Sequence, residues 1–156
     1  MIEISIPGQR TYKLEHLVLD LNGTISLDGE IVEGVVERLD VLRSLLDISI
    51  VTADTRDRAQ ELGNILRVKI HKVDPGNEQD QKLLLVQQLG SEGTASIGNG
   101  SNDAYMLRES ILGVCVIGPE GASVDAVTSC DVVVPNINAA LDLLIKPERL
   151  IATLRE

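Results

Sequence analysis

Leu17-Val18-Leu19-Asp20-Leu21-Asn22-Gly23-Thr24 is the stretch on which the reading of this chain turns. The apolar run from Leu17 has the composition of a buried strand in a parallel sheet, and it stops abruptly at Asn-Gly-Thr, residues that favour a turn. One carboxylate, Asp20, is thereby delivered to the carboxyl end of a strand. In open α/β sheets ligands bind at that end, because the loops leaving the strands converge there and helix N-termini face it. Taken alone, Asp20 is equally suited to be a turn or capping acid, so the rest of the sequence has to decide.

Outward from this stretch, strands and helices alternate. On the N-terminal side, residues 1–6 and 11–14 alternate apolar and polar side chains around Pro7-Gly8. This predicts a hairpin that decorates an edge before the strand ending at Asp20. On the C-terminal side, Asp28-Gly29 between short apolar pieces predicts a small flap over residues 25–32 that could cover the Asp20 loop. Helical spacing then runs over 35–46, 56–66 and 79–89, with strands expected at 48–51, 68–73, 94–97, 113–117 and 131–134. Shorter helices follow near 103–109, 123–128, 137–144 and 148–154. This rhythm predicts an α/β fold with a doubly wound parallel sheet and right-handed crossovers, in a single domain over residues 1–156. The 44% hydrophobic content is sufficient for its core.

Composition narrows the function. With two Tyr, no Phe and no Trp, the chain has few rings on which bases could stack, and a net charge of −10 repels phosphate backbones. Nucleic acid is therefore not an expected partner. No apolar run reaches the roughly 18 residues of a membrane span and no secretion signal opens the chain, so a cytoplasmic location is expected. Cys115 and Cys130 lie in apolar strand-like stretches and read as buried free thiols. His16 and His71 lack partners at metal spacing.

The polar residues that follow the buried strands are Asp20 to Thr24, Thr52-Ala53-Asp54 and Gly98-Asn99-Gly100-Ser101-Asn102-Asp103, with Lys82 on a helix between the second and third. Brought to one sheet edge, they supply a carboxylate nucleophile, a hydroxyl, an ammonium and an acid/amide pair on a glycine-rich backbone. Those groups suit a phosphoryl group and a divalent cation.

In order, spacing and residue type these four pieces resemble the motifs of the haloacid dehalogenase (HAD) superfamily. Within it, Asp-x-x-Gly-Thr at 20–24 and Gly-x-Gly-x-Asn-Asp at 98–103 look most like the phosphorylation domain of P-type ATPases and its small free-standing relatives. The resemblance implies a HAD-like Rossmannoid phosphatase in which Asp20 attacks phosphorus to form an aspartyl-phosphate. Thr52 and Lys82 would hold the transferring oxygens, with Gly23 and Ala53 beside them in the phosphate-binding set. Mg²⁺ would be bound by Asp20, the carbonyl of Asn22 and the side chain of Asn99, with Asp103 orienting a water at the ion or ligating it directly.

Two departures accompany the resemblance. Asn22 stands where phosphatases of this superfamily carry the general acid/base Asp, and Asn99 stands where a metal-binding Asp is expected. An amide shuttles no proton, and general acid/base help is worth on the order of 10²–10⁴ in rate. Slow, Mg²⁺-dependent hydrolysis of a phosphorylated substrate is the expectation, with a catalytically impaired binding or regulatory module as the alternative. About thirty residues separate Asp20 from Thr52, and a similar number separate Thr52 from Lys82. An uncapped site is thus expected, covered by the flap or by a neighbouring copy in a homo-oligomer. Asp54 is expected to cap the following helix, Arg56 to be solvated, and the acid of Gly118-Pro119-Glu120-Gly121 has no evident role.

Overall fold

The computed structural model describes residues 1–156. Strands β1 (Ile2–Ser5) and β2 (Thr11–Leu14) form the hairpin, and β3 (His16–Asp20) follows at once. The flap is β4 (Ser26–Leu27) and β5 (Glu30–Ile31), and α1 (Val35–Leu42) leads to β6 (Asp47–Thr52). The chain continues through α2 (Arg56–Leu66), β7 (Lys69–Lys72), α3 (Glu78–Leu89), β8 (Thr94–Gly98), α4 (Ala104–Glu109) and β9 (Leu112–Val116). It ends with α5 (Val124–Ser129), β10 (Val132–Val134), α6 (Ile137–Ile145) and α7 (Pro147–Leu154). No helix is long and apolar enough to cross a membrane.

The central sheet has six strands in the order β10-β9-β8-β3-β6-β7, and every pairing in it is parallel. From β3 the chain moves outward to β6 and β7, then returns to the other side of β3 for β8, β9 and β10. The sheet reverses its winding between β3 and β8, which is the position where an α/β sheet opens a crevice at its carboxyl edge. Asp20 stands at that reversal.

Strand parity explains which way Asp20 faces. Successive side chains on a strand point to opposite faces. Leu17 and Leu19 enter the larger core cluster with α1, α2, α6 and the N-terminal hairpin, whereas Val18 packs with Leu85, Val86 and Met106 of α3 and α4. Asp20 shares the parity of Val18 and so turns toward α3, the helix that carries Lys82.

The hairpin is more than an edge decoration. It forms its own two-stranded sheet, and Ile2, Ile4, Ile6, Tyr12 and Leu14 are all buried in the main core, with Gln9 reaching the carbonyl of Leu154 at 2.6 Å. The alternation marks the strands, and the apolar face it creates finds cover against the larger core instead of solvent. The first helix also differs from its periodic pattern. It ends at Leu42, and residues 43–45 turn so that Leu46 is buried, Leu45 is exposed, and Asp47 can donate its N–H to Glu15. Cys115 is buried as expected, while Cys130 is only half-buried. Both thiols are free.

Helices α1 and α6 are joined by Arg38, which donates Nε to Asp142 Oδ1 at 2.9 Å and Nη2 to Oδ2 at 3.3 Å. These hydrogen bonds hold the Asp142 carboxyl below its ordinary value of 3.8. Because the folded value is depressed, the contribution is present above 3.8 and is lost as pH falls through the lower folded value. Asp142→Asn is expected to cost about 1 kcal/mol at neutral pH. In urea melts the variant and wild type should converge in strong acid, and a gap that does not change with pH would contradict this account.

Candidate active site

The residues singled out in the three loops, and Lys82 on α3, meet at the carboxyl edge of the sheet around an open cavity of about 430 Å³. Asp20, Asn22, Thr52, Ala53, Lys82 and Asn99 all line it. Its wall is almost entirely polar, which suits a charged, hydroxylated ligand better than an apolar one.

At the base lies a buried charge triad. Lys82 Nζ donates to Asp20 Oδ1 at 2.9 Å and to Asp103 Oδ1 at 2.8 Å, and the Lys82 side chain is only 2% exposed. Lys82 sits one turn inside α3, which begins at Glu78, so a long side chain is needed to reach the sheet edge. Burial works against the ammonium, but the two carboxylates override it and raise its pKa. Burial and the neighbouring Asp103 push Asp20 up to about 7, with Lys82 and Thr24 pulling the other way. One ammonium between two buried carboxylates leaves the triad with an unbalanced negative charge. A cation or an additional proton would relieve it.

Asp103 is fully buried and does not line the cavity. Its Oδ2 accepts the backbone N–H groups of Asn99 and Gly100, both at 3.0 Å, while Oδ1 holds Lys82. It is therefore placed to orient Lys82 and the 99–100 backbone, while the sequence offers it either a water at the ion or the ion itself. This close packing requires glycine at 98, where a Cβ would meet the Asp103 carboxyl at 2.5 Å. Gly23 also departs from its expected role. Its N–H donates to the carbonyl of Ser26 at 2.8 Å and so is not free for phosphate.

Three donors remain available. Thr52 Oγ1 accepts the N–H of Asp54 at 3.0 Å, which fixes the hydroxyl while its proton finds no acceptor in the chain. The Ala53 N–H makes no loop hydrogen bond. Lys82 has a third N–H beyond the two it gives to carboxylates.

The residues present also fit a hard divalent cation. Thr24 Oγ1 lies 3.1 Å from Asp20 Oδ2 and 3.3 Å from Asn99 Oδ1, so the two oxygens face a common space. No loop hydrogen bond ends on the carbonyl of Asn22. These donors are all oxygen, as Mg²⁺ prefers, but only one is charged. No three His, Cys, Asp or Glu side chains converge into a cage.

The cap of α2 is Thr55, whose Oγ1 accepts from the Arg58 N–H, while Asp54 lies on the cavity wall. The flap does not cover the site, since none of residues 25–32 lines the cavity. Ile25 is buried in the core, and both Ile25 and Ser26 donate backbone N–H groups to Leu21, which ties the flap root down. Glu120, without evident role in the sequence, stands on the cavity wall, as do Glu78 and Asn102.

No family model matches this chain. In structure it is similar to 3-deoxy-D-manno-octulosonate 8-phosphate phosphatase from Moraxella catarrhalis, solved with magnesium, phosphate and a KDO molecule. The TM-score is 0.68 with 19% identity, over 91% of this chain and 94% of that one. It is also similar to a HAD family hydrolase from Streptomyces avermitilis, with a TM-score of 0.65, 18% identity and coverage of 92% and 85%. The catalytic domain of the CPx-ATPase CopB-B gives a TM-score of 0.61 and 21% identity over 73% of this chain and 46% of that one. The fold is thus the one seen in that phosphatase, in that HAD family hydrolase and in that ATPase catalytic domain. By sequence, the chain belongs to the family of uncharacterized protein MJ0073 of Methanocaldococcus jannaschii. That relative is 42% identical over an alignment of 93 residues that covers 57% of this chain and the whole of MJ0073.

Proposed function

We propose that this protein is a slow, magnesium-dependent phosphohydrolase that acts through an aspartyl-phosphate on Asp20. The observation that carries this reading is the Lys82 ammonium held between Asp20 and Asp103, with Thr52 and Ala53 offering free donors across the same cavity. The structural similarity to a phosphatase solved with magnesium and phosphate supports it.

A carboxylate and a phosphate monoester are both anions, and their repulsion must be cancelled before phosphorus can be attacked. Bound Mg²⁺, held by Asp20, the Asn22 carbonyl and Asn99, would supply part of that cancellation. Lys82 supplies the rest while Thr52 and Ala53 position the phosphoryl oxygens. An Asp20 oxygen then forms the new bond to phosphorus as the ester P–O bond breaks, and the departing alkoxide takes its proton from water because Asn22 has none to give. Attack of a second water on phosphorus releases inorganic phosphate and restores the carboxylate.

The test is a screen of phosphate monoesters with and without Mg²⁺, run beside Asp20→Asn, together with the change in melting temperature on adding beryllium fluoride. Slow phosphate release and stabilisation by beryllium fluoride are expected, both absent in the variant. The amide at 22 favours a second reading, a phosphate-sensing module without useful turnover. Beryllium fluoride binding that depends on Asp20, with no ester cleaved, would select it.

A further inference from the structure

Four carboxylates line the cavity, and three are engaged. Asp20 is held by Lys82 and Thr24, Asp54 accepts the N–H of Thr55 at 2.8 Å, and Glu78 accepts from Asn102 at 2.8 Å. Glu120 has no hydrogen-bond or ion-pair partner, although its carboxyl points into the loop that follows Asp20. Its Oε2 lies 2.8 Å from the point where a Cβ on Gly23 would sit, and Asn99 Nδ2 lies 3.1 Å from that same point. Only glycine, here at a φ of +79°, leaves room for both.

Asn99 keeps Glu120 in place. Its Nδ2 donates to the Gly121 carbonyl at 3.2 Å, and its own carbonyl accepts the Ser123 N–H at 2.9 Å. The turn itself closes through the Gly121 N–H to the Gly118 carbonyl at 2.8 Å. Donation to Gly121 also fixes which end of the amide is which, so Oδ1 faces Thr24 and Asp20. An aspartate at 99 could not do this. It would turn an oxygen toward the Gly121 carbonyl and put a second anion next to Glu120.

We propose that the carboxylate charge missing at position 99 is supplied by Glu120, which acts as the second acid of the divalent cation site, while Asn99 contributes a neutral oxygen and anchors the Glu120 turn. This rests on the reading of the site as a metal-assisted phosphohydrolase. It reassigns the loss of charge at Asn99 as a relocation within the same cavity, with residues 118–121 as a fourth loop of the site.

The experiment is a titration of the full chain with Mn²⁺, with free ion followed by electron paramagnetic resonance, for wild type, Glu120→Gln, Asn99→Asp and the double variant. Glu120→Gln is expected to weaken Mn²⁺ by about 10–100-fold, the range found when a carboxylate supporting a metal site is neutralised. Because Glu120 is exposed and unpartnered, its melting temperature should not change. Asn99→Asp should restore most of the affinity in the Glu120→Gln background and add less in the wild-type background. Unchanged affinity in Glu120→Gln overturns the proposal. Asp20→Asn is titrated alongside as the control for the cation site itself. If wild type binds Mn²⁺ and Asp20→Asn does not, an unaffected Glu120→Gln removes only the role of Glu120. If wild type binds no ion at the site, the phosphohydrolase reading fails with it.

Discussion

Replacing Lys82 by Met is expected to lower the stability of the protein by about 3–5 kcal/mol at neutral pH, the range for breaking a buried ion pair from one side. Methionine nearly fills the volume but leaves Asp20 and Asp103 facing each other, each having lost a donor at 2.9 and 2.8 Å. Asp20 is already raised to about 7 by burial and by Asp103 with the ammonium present. Without it, the folded Asp20 carboxyl must rise further, since Lys82 is what pulls it down. A carboxyl whose folded value lies above its unfolded one stabilises the fold fully below the unfolded value and loses that contribution as pH rises through the folded one. The deficit of Lys82→Met should therefore be largest above pH 7 and shrink toward pH 4, as measured by urea denaturation across that interval. Asp20→Asn should have the opposite effect. It leaves Lys82 and Asp103 as a balanced pair, so the nucleophile-free variant should melt above wild type, a stability–activity trade at a single side chain. Equal urea midpoints for Lys82→Met and wild type would show that the ammonium does not balance this pair.

The parts of the site that could be read from the sequence are those fixed by local rules. A run of apolar residues that stops at Asn-Gly identifies both a buried strand and its carboxyl end, and strand parity then orients Asp20 toward α3. Thr52, Lys82 and the glycine-rich segment 98–103 were legible for the same reason, since each follows directly from its own element. Glu120 was not, because Gly118-Pro119-Glu120-Gly121 looks like any surface turn until β9 is known to lie beside β8, which brings the turn against Asn99. Its function depends on a sheet neighbour, and no periodicity encodes that. The hairpin shows the complementary limit: alternation fixes which residues share a face, but the partner of that face is decided by the core left uncovered between α7 and the sheet. The inward-facing role of Asp103 was hidden similarly. An acid after a glycine-rich turn suits a ligand or a backbone anchor equally well, and only its complete burial distinguishes the two.

Replacing Asn22 by Asp is expected to raise the rate of ester hydrolysis by about 10²-fold or more, the contribution of a positioned proton donor. Asn22 is exposed on the cavity wall, and its Oδ1 has a single long contact, 3.4 Å from Ser26 Oγ, which also reaches the Leu21 carbonyl. A carboxyl of the same shape can therefore replace the amide without disturbing the loop. The gain should depend on the leaving group. An alkyl phosphate needs its departing oxygen protonated and should benefit most, while an aryl phosphate with an acidic phenol leaves unassisted and should gain little. Asn99→Asp alone should not reproduce the effect, because its new charge faces Glu120 and the Gly121 carbonyl and supplies no proton to the ester oxygen. Comparing kcat for the two ester classes in both variants separates proton transfer from metal affinity, which would change both esters alike. If Asn22→Asp leaves alkyl ester turnover at the wild-type level while activity still requires Asp20, then proton donation is not what limits this site. The slow step must then lie in the attack of Asp20 or in the breakdown of its phosphoryl ester.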